Sequence, residues 1–261
     1  MQTMQKTPLL GHHHALFLDF DGTLTDIAPN PQAVQIHADL LPLLQRTFDY
    51  LGGAMAIVTG RPVLDVAQYL APVCLPIAGE HGTQWRNSAG DTLALDARYL
   101  ESALAPIRHA ATRLAQLYPG LLVEQKTAGL ALHYRMAPAL YTLCFQTLAP
   151  MVQQSPTLAL MRGKYVLEVA PSAVHKGTAI HAFMQTPPFE GRTPLFSGDD
   201  VTDEAGFEAV QSLGGHGMKV GAGPSVAHLR CASPAALREW LQHSMDTPQH
   251  QHAAYLQARA A

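Results

Sequence analysis

From Ala15 onward, short unbroken apolar runs alternate with longer segments whose apolar residues recur every three or four positions. "ALFLDF" (15–20) and "AMAIVTG" (54–60) have the length and content of buried strands, while "ADLLPLLQRTFDYL" (38–51) and "PVLDVAQYL" (62–70), with Pro62 at its start, carry a helical period. The pattern predicts parallel strands joined by crossover helices. It changes near Leu100. A long helix, "LESALAPIRHAATRLAQLY" (100–118), leads into strands "LLVEQK" (121–126) and "GLALHYR" (129–135), spaced as a hairpin. A helix over about 140–152 and strands "TLALMRG" (157–163) and "YVLEVAP" (165–171) follow, before "KGTAIHAFMQ" (176–185) and "TPLFSGDD" (193–200) restore the first pattern. The expected fold is therefore α/β, a doubly wound parallel-sheet, Rossmann-like core of residues 1–103 and 173–261. A smaller α+β domain, residues 104–172 and roughly seventy long, is inserted into it.

Four apolar-to-polar junctions concentrate the chemistry. In "DFDGT", Asp19 and Asp21 end a buried strand, where carboxylates are unfavourable without a cationic partner, and Gly22 lets the chain turn towards Thr23. In "IVTGRP", Thr59 and the turn N–H groups suit a phosphate oxygen, although an N-cap role for Thr59 fits equally well. Lys176 opens a helix, an unfavourable place for a cation unless anions stand beside it. In "GDDVTDEAGF", Asp200 suits an N-cap and Asp203 a capping-box partner, which leaves Asp199 unexplained by helix capping. Asp19, Asp21, Asp199 and Asp200 together form an oxygen-rich set of the kind Mg²⁺ prefers. With Mg²⁺ present, Asp19 can take a phosphoryl group as nucleophile and Asp21 can act as general acid and base. Lys176 and Thr59 can stabilise charge on the transferring oxygens.

Composition excludes other classes. The 261 residues are 48% hydrophobic and 14% charged, with a net charge of -3, and the 17 lysines and arginines form no basic run of the kind nucleic acid requires. No apolar stretch is long enough to predict a membrane span, and the residues before the first strand do not read as a targeting signal. Cys74, Cys144 and Cys231 form no CxxC pair, so reduced thiols packed in the core of a cytoplasmic protein are expected. The run His12, His13, His14 reads as a lead-in to the first strand rather than a metal site, because consecutive residues of an extended segment cannot all point one way. The tail 243–261 reads as a loosely held terminus.

The four motifs, in this order, resemble those of the haloacid dehalogenase superfamily of phosphatases, whose C2-type caps lie between the second and third. "LYPGLLVEQK", "ALHYR", "GKYVLEV" and "GDDVTDEAGF" are similar in particular to trehalose-6-phosphate phosphatases. The resemblance implies Mg²⁺-dependent hydrolysis of trehalose 6-phosphate through an aspartyl-phosphate. It also implies phosphate or substrate contacts from Gly22, Thr23, Gly60 and Arg61, a supporting role for Asp203, and a monomer acting on a small-molecule substrate. Strand alternation in the insert sets Glu124, Lys126, His133, Arg135 and Glu168 on one sheet face opposite an apolar one, a set fit for sugar hydroxyls. In the resembled family the positions matching Glu124, Lys126 and Glu168 bind the sugar. His175 and Glu80, both outside the motifs, depart from what the resemblance leads one to expect. Sucrose phosphate or mannosyl-3-phosphoglycerate as substrate, or a non-catalytic sugar-phosphate sensor, are the competing readings.

Overall fold

The structure, a computed structural model, describes residues 7–28 and 33–246. Of the expected loose tail, residues 243–246 instead end a helix with Ser244 and Met245 buried, and the last fifteen residues lie outside the described ones. Strands β1 (His14–Leu18), β2 (Met55–Val58) and β3 (Ile77–Gly79), then β10 (Thr193–Gly198), β11 (His216–Val220) and β12 (Leu229–Cys231), form a parallel sheet. Two short antiparallel strands, β4 (Gln84–Arg86) and β5 (Thr92–Ala94), extend one edge, so the order is β12-β11-β10-β1-β2-β3-β4-β5. Every residue of β1 and β2 is buried, which is why these strands read as unbroken apolar runs rather than alternating ones.

Helices α1 (Leu40–Tyr50) and α2 (Val63–Leu70) make the crossovers on one side of β1. On the other side, α5 (Lys176–Met184) leads into β10 and α6 (Glu204–Ser212) connects β10 to β11; helix α7 (Pro234–Asp246) ends the described chain. Helices α1 and α7 pack together, as do α5 and α6. Right-handed crossovers that run in opposite directions from β1 cover both sheet faces and open a crevice at the carboxyl ends of the central strands.

Between β5 and α5 lies a second unit with its own core. Strands β6 (Leu122–Lys126), β7 (Gly129–His133), β8 (Leu158–Gly163) and β9 (Val166–Pro171) form an antiparallel sheet in the order β6-β7-β9-β8, covered on one face by α3 (Glu101–Leu117) and α4 (Tyr141–Gln153). Leu130, Leu132, Leu167 and Val169 join Leu104, Ile107, Cys144 and Leu148 in its apolar cluster. Helix α3 crosses the expected 103/104 boundary without a break, and Leu100 already packs in this cluster.

The cysteines depart in part from expectation. Cys144 is buried, but Cys74 is exposed beside the Arg86 guanidinium, because the loop before β3 runs over the surface. His14 opens β1, as expected of a strand lead-in, and no described helix is long and apolar enough to cross a membrane.

Candidate active site

Parallel register brings the motif residues together. Leu18 pairs with Ser197 and Ile57, so Asp19, Thr59 and Asp199 leave three neighbouring strands at one level. The Asp19 N–H donates to Ser197 O at 2.9 Å. Gly22 takes φ +80°, and a Cβ there would lie 2.2 Å from Asp199 Oδ2, so glycine is what allows the two loops to touch. Thr23 is buried, and its hydroxyl has no partner among the described residues.

Lys176 answers the question of what meets the buried acids. Its Nζ donates to Asp19 Oδ1 at 2.7 Å and to Asp203 Oδ1 at 2.6 Å. Asp203 Oδ2 accepts the N–H groups of Asp199 and Asp200 at 2.9 and 2.8 Å, which makes this carboxylate the brace of the loop. Lys219, buried on β11, donates to the Asp199 carbonyl from below. Burial works against the Lys176 charge, but Asp19 and then Asp203 outweigh it and hold the ammonium above the ordinary lysine range.

Asp19, Asp199 and Asp203 offer carboxylate oxygens within 4.8 Å of one another. Burial, followed by the charges of Asp203 and Asp200, pushes Asp199 up to about 7. Burial also raises Asp19, against the pull of Lys176. Asp19 and Asp203 share the Lys176 ammonium while Asp199 offers a further carboxylate oxygen within 4.8 Å, and a hard divalent cation fits that donor set. The gathered acids differ from those expected. Asp21 is held away by Arg61, whose Nε and Nη2 meet Asp21 Oδ2 and Oδ1 at 2.5 and 2.8 Å. Asp200 caps the Val201–Asp203 turn and accepts the Lys164 N–H at 2.8 Å.

Thr59 Oγ1 accepts the Arg61 N–H at 3.2 Å, so its hydroxyl shapes the turn that begins at Gly60. The polar face of the second sheet lies over this turn. Lys126 Nζ donates to Gly60 O at 2.6 Å and to Glu168 Oε2 at 3.0 Å, and His81 Nε2 meets the same Glu168 oxygen at 2.9 Å. Burial alone would raise Glu168, but Lys126 and then His81 hold it below the usual carboxylate range. Glu124 pairs with His133 at 2.8 Å and stands 4.0 Å from Lys126. Four of the five polar residues expected on this face are thus brought together. Arg135 is not among them: it lies beyond the end of β7 and reaches the carbonyls of Ala28 and Lys164. The residues that sequence reasoning missed are His81, Thr127 and Lys219. Only Lys219 leaves a signal, a charge inside the apolar strand "GMKV".

The family model for trehalose-phosphatase matches residues 17–234. A trehalose-6-phosphate phosphatase of Escherichia coli K12 is 39% identical over 245 residues, covering 92% of this chain and 90% of its own. A probable trehalose-phosphate phosphatase of Sinorhizobium fredii is 40% identical over 209 residues, covering 79% of this chain and 77% of its own. Among solved structures, the C-terminal domain of a C. albicans trehalose-6-phosphate phosphatase superposes with a TM-score of 0.81 at 23% identity, over 90% of this chain and 92% of that one.

Proposed function

Since the chain belongs to the trehalose-phosphatase family, we propose that it hydrolyses trehalose 6-phosphate to trehalose and phosphate by way of a phosphorylated Asp19. The observation that carries this reading is the meeting of two constellations: Asp19, Lys176 and Asp199 at the strand ends, and Glu124, Lys126 and Glu168 on the sheet face above Gly60. The first serves phosphoryl transfer and the second a polyhydroxyl leaving group. Residues 100–172 are the cap, the boundary falling before Leu100 rather than at 103/104 because Leu100 and α3 pack in its cluster, and the segments on either side are the catalytic core.

Asp19 Oδ1 is taken by Lys176, and Oδ2 attacks phosphorus while the bond to the sugar oxygen breaks. Asp21 gives its proton to the departing alkoxide. It then takes one from the water that attacks the phosphoryl-aspartate, so that Asp19 leaves as carboxylate. For Asp21 to carry a proton, Arg61 must first exchange it for an anionic partner, and the substrate phosphate supplies one. Thr59 and Lys176 hold the transferring oxygens. Asp19 and Asp199 are the residues to hold Mg²⁺, braced by Asp203, with Asp21 and Asp200 at the margin of the site. When bound, the ion neutralises these carboxylates and draws charge from the phosphoryl oxygens. The setting is cytoplasmic, where the three thiols stay reduced.

Mass spectrometry after trapping with a phosphate mimic tests the assignment. A label on Asp19, lost together with nearly all turnover in Asp19→Asn and abolished by EDTA, is the expected result. A label on Asp21 or Thr23, or full turnover in EDTA, contradicts it.

A further inference from the structure

The turn after β3 carries two consecutive non-glycine residues in the left-handed region, Glu80 at φ 45° and His81 at φ 61°. Such conformations persist where surrounding contacts over-determine them. Both side chains are buried, and both reach out of the core into the cap. Glu80 accepts the N–H of Thr127, at the tip of the β6–β7 hairpin, at 2.9 and 3.2 Å from its two oxygens, and the Thr83 hydroxyl at 3.0 Å. Gln84, from β4, donates to Thr127 Oγ1 at 2.5 Å. The hairpin tip is therefore seated on the core by its backbone and by its side chain. Lys126, the residue before Thr127, is the one whose ammonium reaches Gly60 O in the phosphate turn.

We propose that Glu80 is a positioning residue that seats the cap hairpin and thereby sets Lys126 and Glu168 in register over Gly60; the inference rests on the trehalose 6-phosphate reading for its substrate, but not for its geometry. A carboxylate suits this task because it offers two acceptor oxygens to one N–H and one hydroxyl, and its charge faces the neighbouring Lys126. The left-handed backbone aims both Glu80 and His81 across the cleft. His81 fixes the far side of the register through Glu168, and a Cβ at Gly60 would lie 3.0 Å from the His81 ring, so the phosphate turn and the seat are in direct contact.

Two measurements on the full chain test this. In Glu80→Ala, the ratio of kcat/KM for trehalose 6-phosphate to that for p-nitrophenyl phosphate falls at least tenfold, chiefly through a higher KM for the sugar phosphate, and Glu80→Gln recovers part of the loss. Hydrogen exchange over residues 126–129 speeds up at least tenfold in Glu80→Ala, while the β8–β9 pairing exchanges as in the wild type. Should Glu80→Ala fail to fold, Thr127→Pro removes the donor from the cap side, and the same fall in the ratio is expected. Equal losses on both substrates, or unchanged exchange at the hairpin tip, overturn the proposal. A wild-type protein inactive on trehalose 6-phosphate removes the functional reading alone, because the exchange measurement still decides whether Glu80 seats the cap.

Discussion

Replacing Lys126 with Met keeps the aliphatic stem and removes the ammonium that joins cap to core. Two charge-assisted bonds are lost, to Gly60 O at 2.6 Å and to Glu168 Oε2 at 3.0 Å, with both side chains nearly excluded from water at 8% and 11% exposure. Breaking a buried ion pair by deleting one partner costs about 3–5 kcal/mol. Glu168 keeps His81 at 2.9 Å, which places this loss at the lower end, about 3 kcal/mol. For a protein of this size, about 2–4 °C of melting temperature is lost per kcal/mol, so the midpoint falls by roughly 6–12 °C. Catalysis falls separately. If Lys126 meets a sugar hydroxyl, as the proposed function requires, losing that charged contact removes about 1.5–3 kcal/mol, or roughly ten- to a hundredfold in kcat/KM for trehalose 6-phosphate. Because the same Nζ holds the peptide next to Thr59, p-nitrophenyl phosphate turnover also falls, but by less. Scanning fluorimetry and paired kinetics read both effects. A midpoint within about 1 °C of wild type, or equal losses on the two substrates, refutes the reasoning.

Glu124→Ala is the cleaner probe of sugar recognition, since Glu124 touches His133 and approaches Lys126 but not the phosphate turn; the ratio of kcat/KM between the two substrates drops about tenfold, as steady-state kinetics will read. Lys176→Met leaves Asp19, Asp199 and Asp203 without their cation, so turnover falls by at least about 10² on either substrate. Added Mg²⁺ then raises the melting temperature of this variant more than that of the wild type. Burial, with His13 nearby, lowers the His14 pKa from 6.5 to about 4. The unfolded chain therefore takes the proton first, and this contribution to stability is complete above pH 6.5 and disappears as pH falls to about 4. Its full size is about 3 kcal/mol, and His14→Asn flattens urea-melt stability over that window by this amount.

The elements that could be read from sequence are those whose burial is simple. Strands β1, β2 and β10 are enclosed on both faces and end abruptly in Asp, Thr and Gly, so the apolar run, the turn and the acid mark the sheet and its active edge together. The cap strands were legible for a different reason: one face meets helices, so Glu124, His133 and Glu168 alternate with buried Val, Leu and Tyr. Strands β3, β4 and β5 are three residues each, too short for any period to register, and their residues follow the prolines of "APVCLPIAG" or flank a surface turn. Spacing also cannot show which acid a distant cation selects. Asp21 goes to Arg61, and Asp203, whose capping role was visible, enters the buried cluster through Lys176. Contacts such as Lys126 with Gly60 or Glu80 with Thr127 join segments more than forty residues apart and exist only once the cap is seated on the core.

The measurement that bears most directly on the account is phosphate release by the purified full chain with Mg²⁺, from trehalose 6-phosphate, sucrose 6-phosphate and glucose 6-phosphate at equal concentrations. If Glu124, Lys126 and Glu168 read the sugar while Asp19 takes the phosphoryl group, kcat/KM for trehalose 6-phosphate exceeds the other two by at least about tenfold, the value of one charged contact to a hydroxyl. Comparable rates on all three, or a preference for sucrose 6-phosphate or glucose 6-phosphate, contradict it.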